Sequence, residues 1–583
     1  MSHSKGYPGR KDRFLNRLSA RRATLGRART AFAKLPEPRT IGSFAKGRQL
    51  LAGNYLFAGY LAEAPGVSIW DVAAPDNAYL SETHGFAWLD DLAAVGDIAT
   101  RDLAQDWLWG WIDRYSKGGG PGWLPDLTGR RVFRWINHSS LLLRGKDEAA
   151  TDRFYRSLRQ QAMFLSRRWQ GAGPGLPRFE ALTGLVHAGL FLNGLEHLTE
   201  PATKALAGEC TRQIDDEGGL PTRNPEDLLA ACTLLTWVSS ALTDAGITTP
   251  DAQMQAIERI APTLRTLRHS DGSLARFHGG GRGAEGWLDH ALAFSGIKKR
   301  QPDGLSMGYA RLSAGRTSVI IDAAGPPTDQ ASFGAHASTL AFELTSGRRP
   351  LIVNCGSGAN FGIEWRRAGR ATPSHSTISL DGYSSAMLDD DSPDALHERL
   401  IDGPTHVPIE ISHAPDGLRF KGGHDGYVPT HGLNHMRTLE LTFDGRGMAG
   451  EDMLLAVDDT AKRRFEKAMS ARNLAGVPFD IRFHLHPEVD ATYDLDGNGV
   501  AMALKSGEIW VFRHDDTRRL ALTPSVYLEK GRLEPRATQQ IVLSGKVMDY
   551  ATRIRWSVAK AQDTAIGVRD LNRDDPVLPL INP

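Results

Sequence analysis

An adjacent amide and imidazole, beside a group of guanidinium cations, are the first residues in this sequence able to do chemistry. Asn137 and His138 in RWINHSSLL follow Arg130, Arg131 and Arg134. An arginine fork holds a carboxylate or sulfate bidentately, and histidine moves a proton near neutral pH. Arg178 with Glu180, and Arg223 with Asn224, stand at the starts of helical stripes and could add to such an anion site. Asn224 is equally placed to cap the helix that begins at Pro225. Carboxylates cluster at Asp216, Glu217, Glu226 and Asp227, a set a glycoside hydrolase could use if two of them lay roughly 5–10 Å apart. His484 and His486 share one strand face at i, i+2 and, like His431 and His435, suit metal ligation or packing alike. No His-Glu-x-x-His motif or phosphate loop is present. Cys210, Cys232 and Cys355 form neither a disulfide framework nor a zinc-finger spacing.

The elements that must position these residues change period near residue 305. Before it, Leu228, Ala231, Cys232, Leu235 and Val238 recur at helical spacing, as do Leu182, Leu185, Val186 and Leu190. Gly/Pro breakers such as Gly171–Gly175 separate the stripes, which predicts stacked helical hairpins in an incomplete α/α toroid. After it, Leu340, Phe342 and Leu344, then Leu439, Leu441 and Phe443, then Ile481, Phe483 and Leu485 alternate with other residues, which predicts antiparallel strands. The expected organisation is a basic arm over 1–45, a helical toroid over 46–304, a β-sandwich over 305–560 and a loose tail over 561–583.

The 583 residues carry 69 Lys plus Arg against 68 Asp plus Glu, a net charge of +1. That excludes a whole-molecule field for nucleic acid. The first fifty residues are the exception, with 13 basic and two acidic residues. They read as a solvated arm or a contact for an anionic surface. No apolar signal core precedes them, and the apolar runs fall short of the roughly 20 residues that span a bilayer.

The segment GAHASTLAFELTSGRRPLIVNCGSG (334–358), followed by WRRAGRATPSHSTISLDG (365–382), resembles the C-terminal domain of the heparinase II/III family of polysaccharide lyases, alginate lyase relatives included. HGLNHMRTLELTFDGRGMAGEDML (431–454), FHLHP (483–487) and DDEGGLPTRNPEDLL (215–229) extend the likeness. The resemblance implies a helical toroid on a β-sandwich, an acidic-polysaccharide cleft between them and β-elimination on a uronate-containing glycan. Its relatives meet polysaccharide in the periplasm or outside the cell. It also implies a metal, usually zinc, with His336, Asn354 and His375 at the ligand positions. Asn354 brings a neutral amide where the family has a carboxylate.

The family's acid/base positions fall elsewhere on Gly334, on Glu226 or Asp227, and near Leu176–Pro177. A repositioned set would use His375, His138 and Asn137 for catalysis and Arg134, Arg178, Arg223, Asn224 and Arg370 for the substrate. The alternative on the same fold is a glycan-binding or assembly protein without turnover. Oligomeric state is not readable.

Overall fold

The computed structural model describes residues 9–26, 30–299, 304–389, 398–494, 496–515, 518–561 and 570. The rest of the expected arm and tail lies outside them. The architecture is a helical N-terminal half followed by two antiparallel sheets. Among the described residues no helix is long and apolar enough to cross a membrane.

In the helical half, α1 (Arg10–Ala23) lies on the outside and turns Asn16, Ala20 and Ala23 inward. Three longer helices matter for the site: α2 (Pro125–Asn137), α3 (Leu176–Phe191) and α4 (Pro225–Asp244). Each has proline in its first turn, where its missing N–H costs no helical bond. Gly129 and Gly184 let α2 and α3 touch backbone to backbone. A Cβ at Gly129 would stand 2.2 Å from the Glu180 carbonyl oxygen, and one at Gly184 would stand 2.4 Å from that of Gly129. Phe133 meets the His187 ring at 4.7 Å and stacks on Trp237 at 5.0 Å, so α2 and α3 run parallel with α4 alongside.

The C-terminal half contains β1 (Tyr309–Ala314), β2 (Thr317–Asp322), β3 (Phe342–Ser346), β4 (Arg349–Val353), β5 (Ile409–Ala414), β6 (Gly417–Tyr427), β7 (Leu433–Thr442), β8 (Gly447–Leu455), β9 (Val477–Leu485), β10 (Asp490–Tyr493), β11 (Gly499–Ala503), β12 (Ile509–His514), β13 (Arg519–Tyr527), β14 (Arg536–Val547) and β15 (Ala551–Lys560). One sheet runs β13-β14-β9-β4-β3-β2-β1, with a short strand at Ile378–Leu380 added to β9. The other runs β5-β6-β7-β8-β15-β12-β11-β10, so its last strand in sequence lies mid-sheet between β8 and β12. Phe342 and Phe483 from the first sheet pack on Trp556 from the second, at 5.8 and 4.7 Å between ring centres.

Alternation holds in β7, where buried and more exposed residues follow one another. It fails in β2 and β3, whose every residue is buried. The physical reason is a second cover: the 267–282 segment lies over their outer face. There His269 reaches Glu343 at 3.1 Å and the Arg276 N–H donates to the same carboxylate. Polar residues that alternation assigns to solvent therefore lie in the seam between the halves.

Candidate functional site

A small cleft opens on this seam, lined by Asn224, Gly279, Gly334, His336, Ser357, Ala359, Arg366 and Arg370. The helical half contributes Asn224, the N-cap of α4. Its side-chain oxygen accepts the N–H groups of Glu226 and Asp227. Its amide NH2 has no partner among the described residues and sits 3.9 Å from where a Cβ on Gly279 would be. Both expected roles, cap and cleft group, are thus compatible in one side chain.

Opposite stands α5 (Ile363–Arg370), on which Arg366 and Arg370 are one turn apart and face the same side. Arg370 donates to the carbonyls of Ala335, Glu398 and Ser332 at 2.8–2.9 Å. Burial, with Arg366 close by, pushes its pKa down to about 9, which leaves it charged at neutral pH. Arg366 donates to the Phe333 carbonyl. The two guanidinium groups, with the Glu398 carboxylate acting on Arg370, give the α5 end of the cleft donors of the kind that hold a carboxylate or sulfate.

The floor is imidazole. His336 Nε2 accepts the Gly279 N–H at 3.1 Å, and the His336 backbone N–H donates to His278 Nδ1. Burial, reinforced by His375, His278, Arg370 and Arg366, lowers the His336 pKa far enough to keep the ring neutral. His375 lies 5.2 Å away between ring centres. Burial, then His484 and His278, push its pKa down to about 3. His336 Nδ1 and both nitrogens of His375 are buried without a hydrogen bond among the described residues.

The zinc implied by resemblance does not fit this donor set. Asn354 Oδ1 accepts the Ser376 N–H at 2.9 Å, while Nδ2 is directed at Glu343 Oε1 at 3.4 Å. Both ends of the amide are committed, leaving two imidazoles where zinc takes four ligands. Among the described residues no group of three or more His, Cys, Asp or Glu side chains could hold a metal ion.

The other expected site residues are distributed differently. Arg223, next to Asn224, turns away from the cleft into the seam. It pairs with Asp322 at 2.5 Å and donates to the Met307, Gly308, Ala324 and Gly325 carbonyls. Arg178 donates to the Ala172 carbonyl and lies 3.6 Å from Glu209. Arg134 pairs with Asp90 at 2.7 Å, and His138 Nε2 lies 2.9 Å from both Asp90 and Thr40 Oγ1. Asn137 donates to the Phe133 carbonyl.

Arg134 and His138 meet in a polar network around Asp90 inside the helical half, apart from the cleft, while Asn137 bonds back to its own helix. Trp237 is already about 20 Å along α4 from Asn224, at 1.5 Å per residue, and Phe133 on α2 stacks upon it. Glu226, at one of the positions of the family's tyrosine, is an ion-pair partner. Burial would raise its carboxyl, yet Lys530 and the Gly281 N–H hold the pKa down to about 2. Arg366 escaped the sequence reading, although its i, i+4 spacing from Arg370 was available as a signal.

A family profile described as heparinase II/III-like, C-terminal matches residues 296–557. FtsZ-localized protein C of Caulobacter vibrioides (strain NA1000 / CB15N) is 30% identical over 544 residues, covering 91% of this chain and 90% of that protein. Among solved structures, Heparinase III matches with a TM-score of 0.67 at 14% identity, covering 95% of this chain and 90% of its own. A heparan sulfate lyase HepC mutant from Pedobacter heparinus gives 0.58 at 16% identity, covering 94% and 88%. Both structures share the fold along nearly the whole chain.

Proposed function

This chain belongs to the heparinase II/III-like family, and from that premise we propose that it binds an acidic glycan in the seam cleft without cleaving it. The composition of the cleft carries the reading. Two guanidinium groups and an amide NH2 suit a carboxylate, while among the described residues none of the eight that line the cleft is Tyr, Asp or Glu. β-Elimination needs a base for the proton beside the carboxylate and an acid for the leaving oxygen. His336, the one titratable base in the lining, is neutral and already accepts the Gly279 N–H on Nε2.

The test is binding of a uronate polysaccharide against a neutral one, alongside absorbance of the unsaturated uronate that elimination creates. We expect binding of the uronate polymer only and no absorbance. Arg366→Ala and Asn224→Ala should each weaken binding by about 10-fold or more, the size of a lost hydrogen bond to a charged group. The second reading is β-elimination by a repositioned set, favoured by the buried neutral imidazoles of His336 and His375 behind the cleft. Rising absorbance that His375→Ala abolishes would replace the binding reading with that one.

The Caulobacter relative is named for its localization with FtsZ, and we carry that to this chain as the proposed place of action. The docking of α1 supports a surface contact there. With Asn16, Ala20 and Ala23 turned inward, Arg10, Lys11, Arg13, Phe14, Arg17, Arg21 and Arg22 are exposed. A basic helix with an exposed aromatic suits an anionic surface. Cosedimentation with phosphatidylglycerol vesicles is expected at low salt and should fall several-fold in Arg13→Glu/Arg17→Glu. Equal binding by the double variant would remove the arm from the account.

A further inference from the structure

The family's metal position has a different chemical content in this chain. Asn354 is fully buried and joins two pieces of backbone through one side chain. Its oxygen takes the Ser376 N–H, and its NH2 is directed toward Glu343, whose other oxygen takes the Arg276 N–H and meets His269. Ser376 in turn donates from its hydroxyl to the Val353 carbonyl and accepts the His484 N–H. The amide therefore ties the loop after β4, the loop carrying His375 and the 267–282 segment into one node beneath the cleft.

An amide can do this because it presents an acceptor and a donor at once, whereas an ionised carboxylate only accepts. A carboxylate could still accept from Ser376, but it would set a second buried negative charge against Glu343. A neutral amide also supplies none of the charge with which a carboxylate offsets a bound dication.

We propose that Asn354 makes this a metal-free structural node, and that a single change to aspartate turns it into a zinc site. In the native chain the nitrogens of His336 and His375 are bridged by water, as a polar pocket in a protein interior allows. Aspartate would add a carboxylate to the two imidazoles at the three positions that the family resemblance assigns to ligands, and a water or Glu343 would complete the four that zinc takes.

Elemental analysis and thermal melting of the full chain decide it. After loading with zinc and dialysis, the native protein should retain far less than about one zinc per chain, and its Tm should move neither with zinc nor with EDTA. Asn354→Asp should melt lower than the native protein in EDTA, recover on adding zinc, and bind zinc about 100-fold more tightly, at the upper end of what altered ligand support does to metal affinity. Native protein that keeps about one zinc per chain through dialysis, with a Tm that falls in EDTA, overturns the proposal. So does a folded Asn354→Asp with no gain in zinc affinity. Should that variant fail to fold, the native zinc content and its response to EDTA decide alone.

Discussion

Asp322→Ala is expected to lower the stability of the protein by about 3–5 kcal/mol, the range found when one partner of a buried ion pair is removed. Asp322 ends β2 with no exposure. It receives Arg223 at 2.5 Å and the Ser338 hydroxyl at 2.6 Å, with His278 at 3.4 Å. Burial alone would raise its carboxyl, but Arg223, then His278 and Ser338, hold it well below the usual carboxylate range. Truncation strands the Arg223 guanidinium in the seam. Its remaining acceptors are the backbone carbonyls near Met307 and Gly325, which cannot neutralise it.

The loss should also be felt in the cleft, because Arg223 precedes Asn224 and has a left-handed φ of 49°. For a non-glycine residue that conformation costs of order 1–3 kcal/mol and persists only while its surroundings enforce it. Urea titration followed by far-ultraviolet circular dichroism measures the loss, and glycan binding under native conditions should weaken with it. A destabilisation below about 1 kcal/mol would mean that the two halves are held together chiefly by other contacts.

Acid is expected to unfold the protein well above the pH at which carboxylates titrate. His84, His187 and His484 are each at most 2% exposed. Burial is the first cause in every case and pushes their pKa values down to about 3, 4 and 4. Arg131 adds to the effect at His84, whose Nδ1 accepts the Trp111 indole N–H. Unfolding returns each ring to a pKa near 6.5, so between the two values the unfolded chain binds more protons and stability falls as pH falls.

Three such protons amount to about 4 kcal/mol per pH unit at the steepest point. A domain with the usual 5–15 kcal/mol would exhaust its stability within a few pH units below 6.5. The depressed Asp322 and Asp452 act in the same direction lower down, since their stabilisation is present above an unfolded pKa near 3.9 and is lost below it. Melting temperature measured from pH 8 to pH 4 should drop steeply below pH 6. A Tm that holds steady to pH 4.5 would show that these rings take up protons without unfolding the chain.

Much of this arrangement is legible in the sequence, and the exceptions share a cause. The change of period near residue 305 is close to the start of β1 at Tyr309. His336 and His375 are recognisable from motif order, and the structure brings them within 5.2 Å of each other. Which end of a helix meets the cleft is another matter. Adjacent residues Asn137 and His138 look like a site pair, but tertiary placement puts His138 in the Asp90 network and turns Asn137 back to the Phe133 carbonyl of its own helix. Arg223 and Asn224 are neighbours with opposite destinations, because a left-handed residue separates the seam from the cap. Glu343 reads as solvent-facing by alternation and is buried because a distant segment, 267–282, covers that face.

The position of β15 bears on how the chain can be made. Residues 551–560 are the last strand, yet they are hydrogen-bonded on one side to β8 and on the other to β12. Until they leave the ribosome, their sheet exists as two separate pieces with open edges, and Trp556 is missing from the core between Phe342 and Phe483. The helical half can form while synthesis continues, since domains generally fold as units from the N-terminus. The sandwich must wait until synthesis has passed residue 560. A premature stop shortly before residue 551 would therefore leave a folded helical half attached to an aggregation-prone remainder, and a chaperone that shields strand edges would have its longest task late in translation.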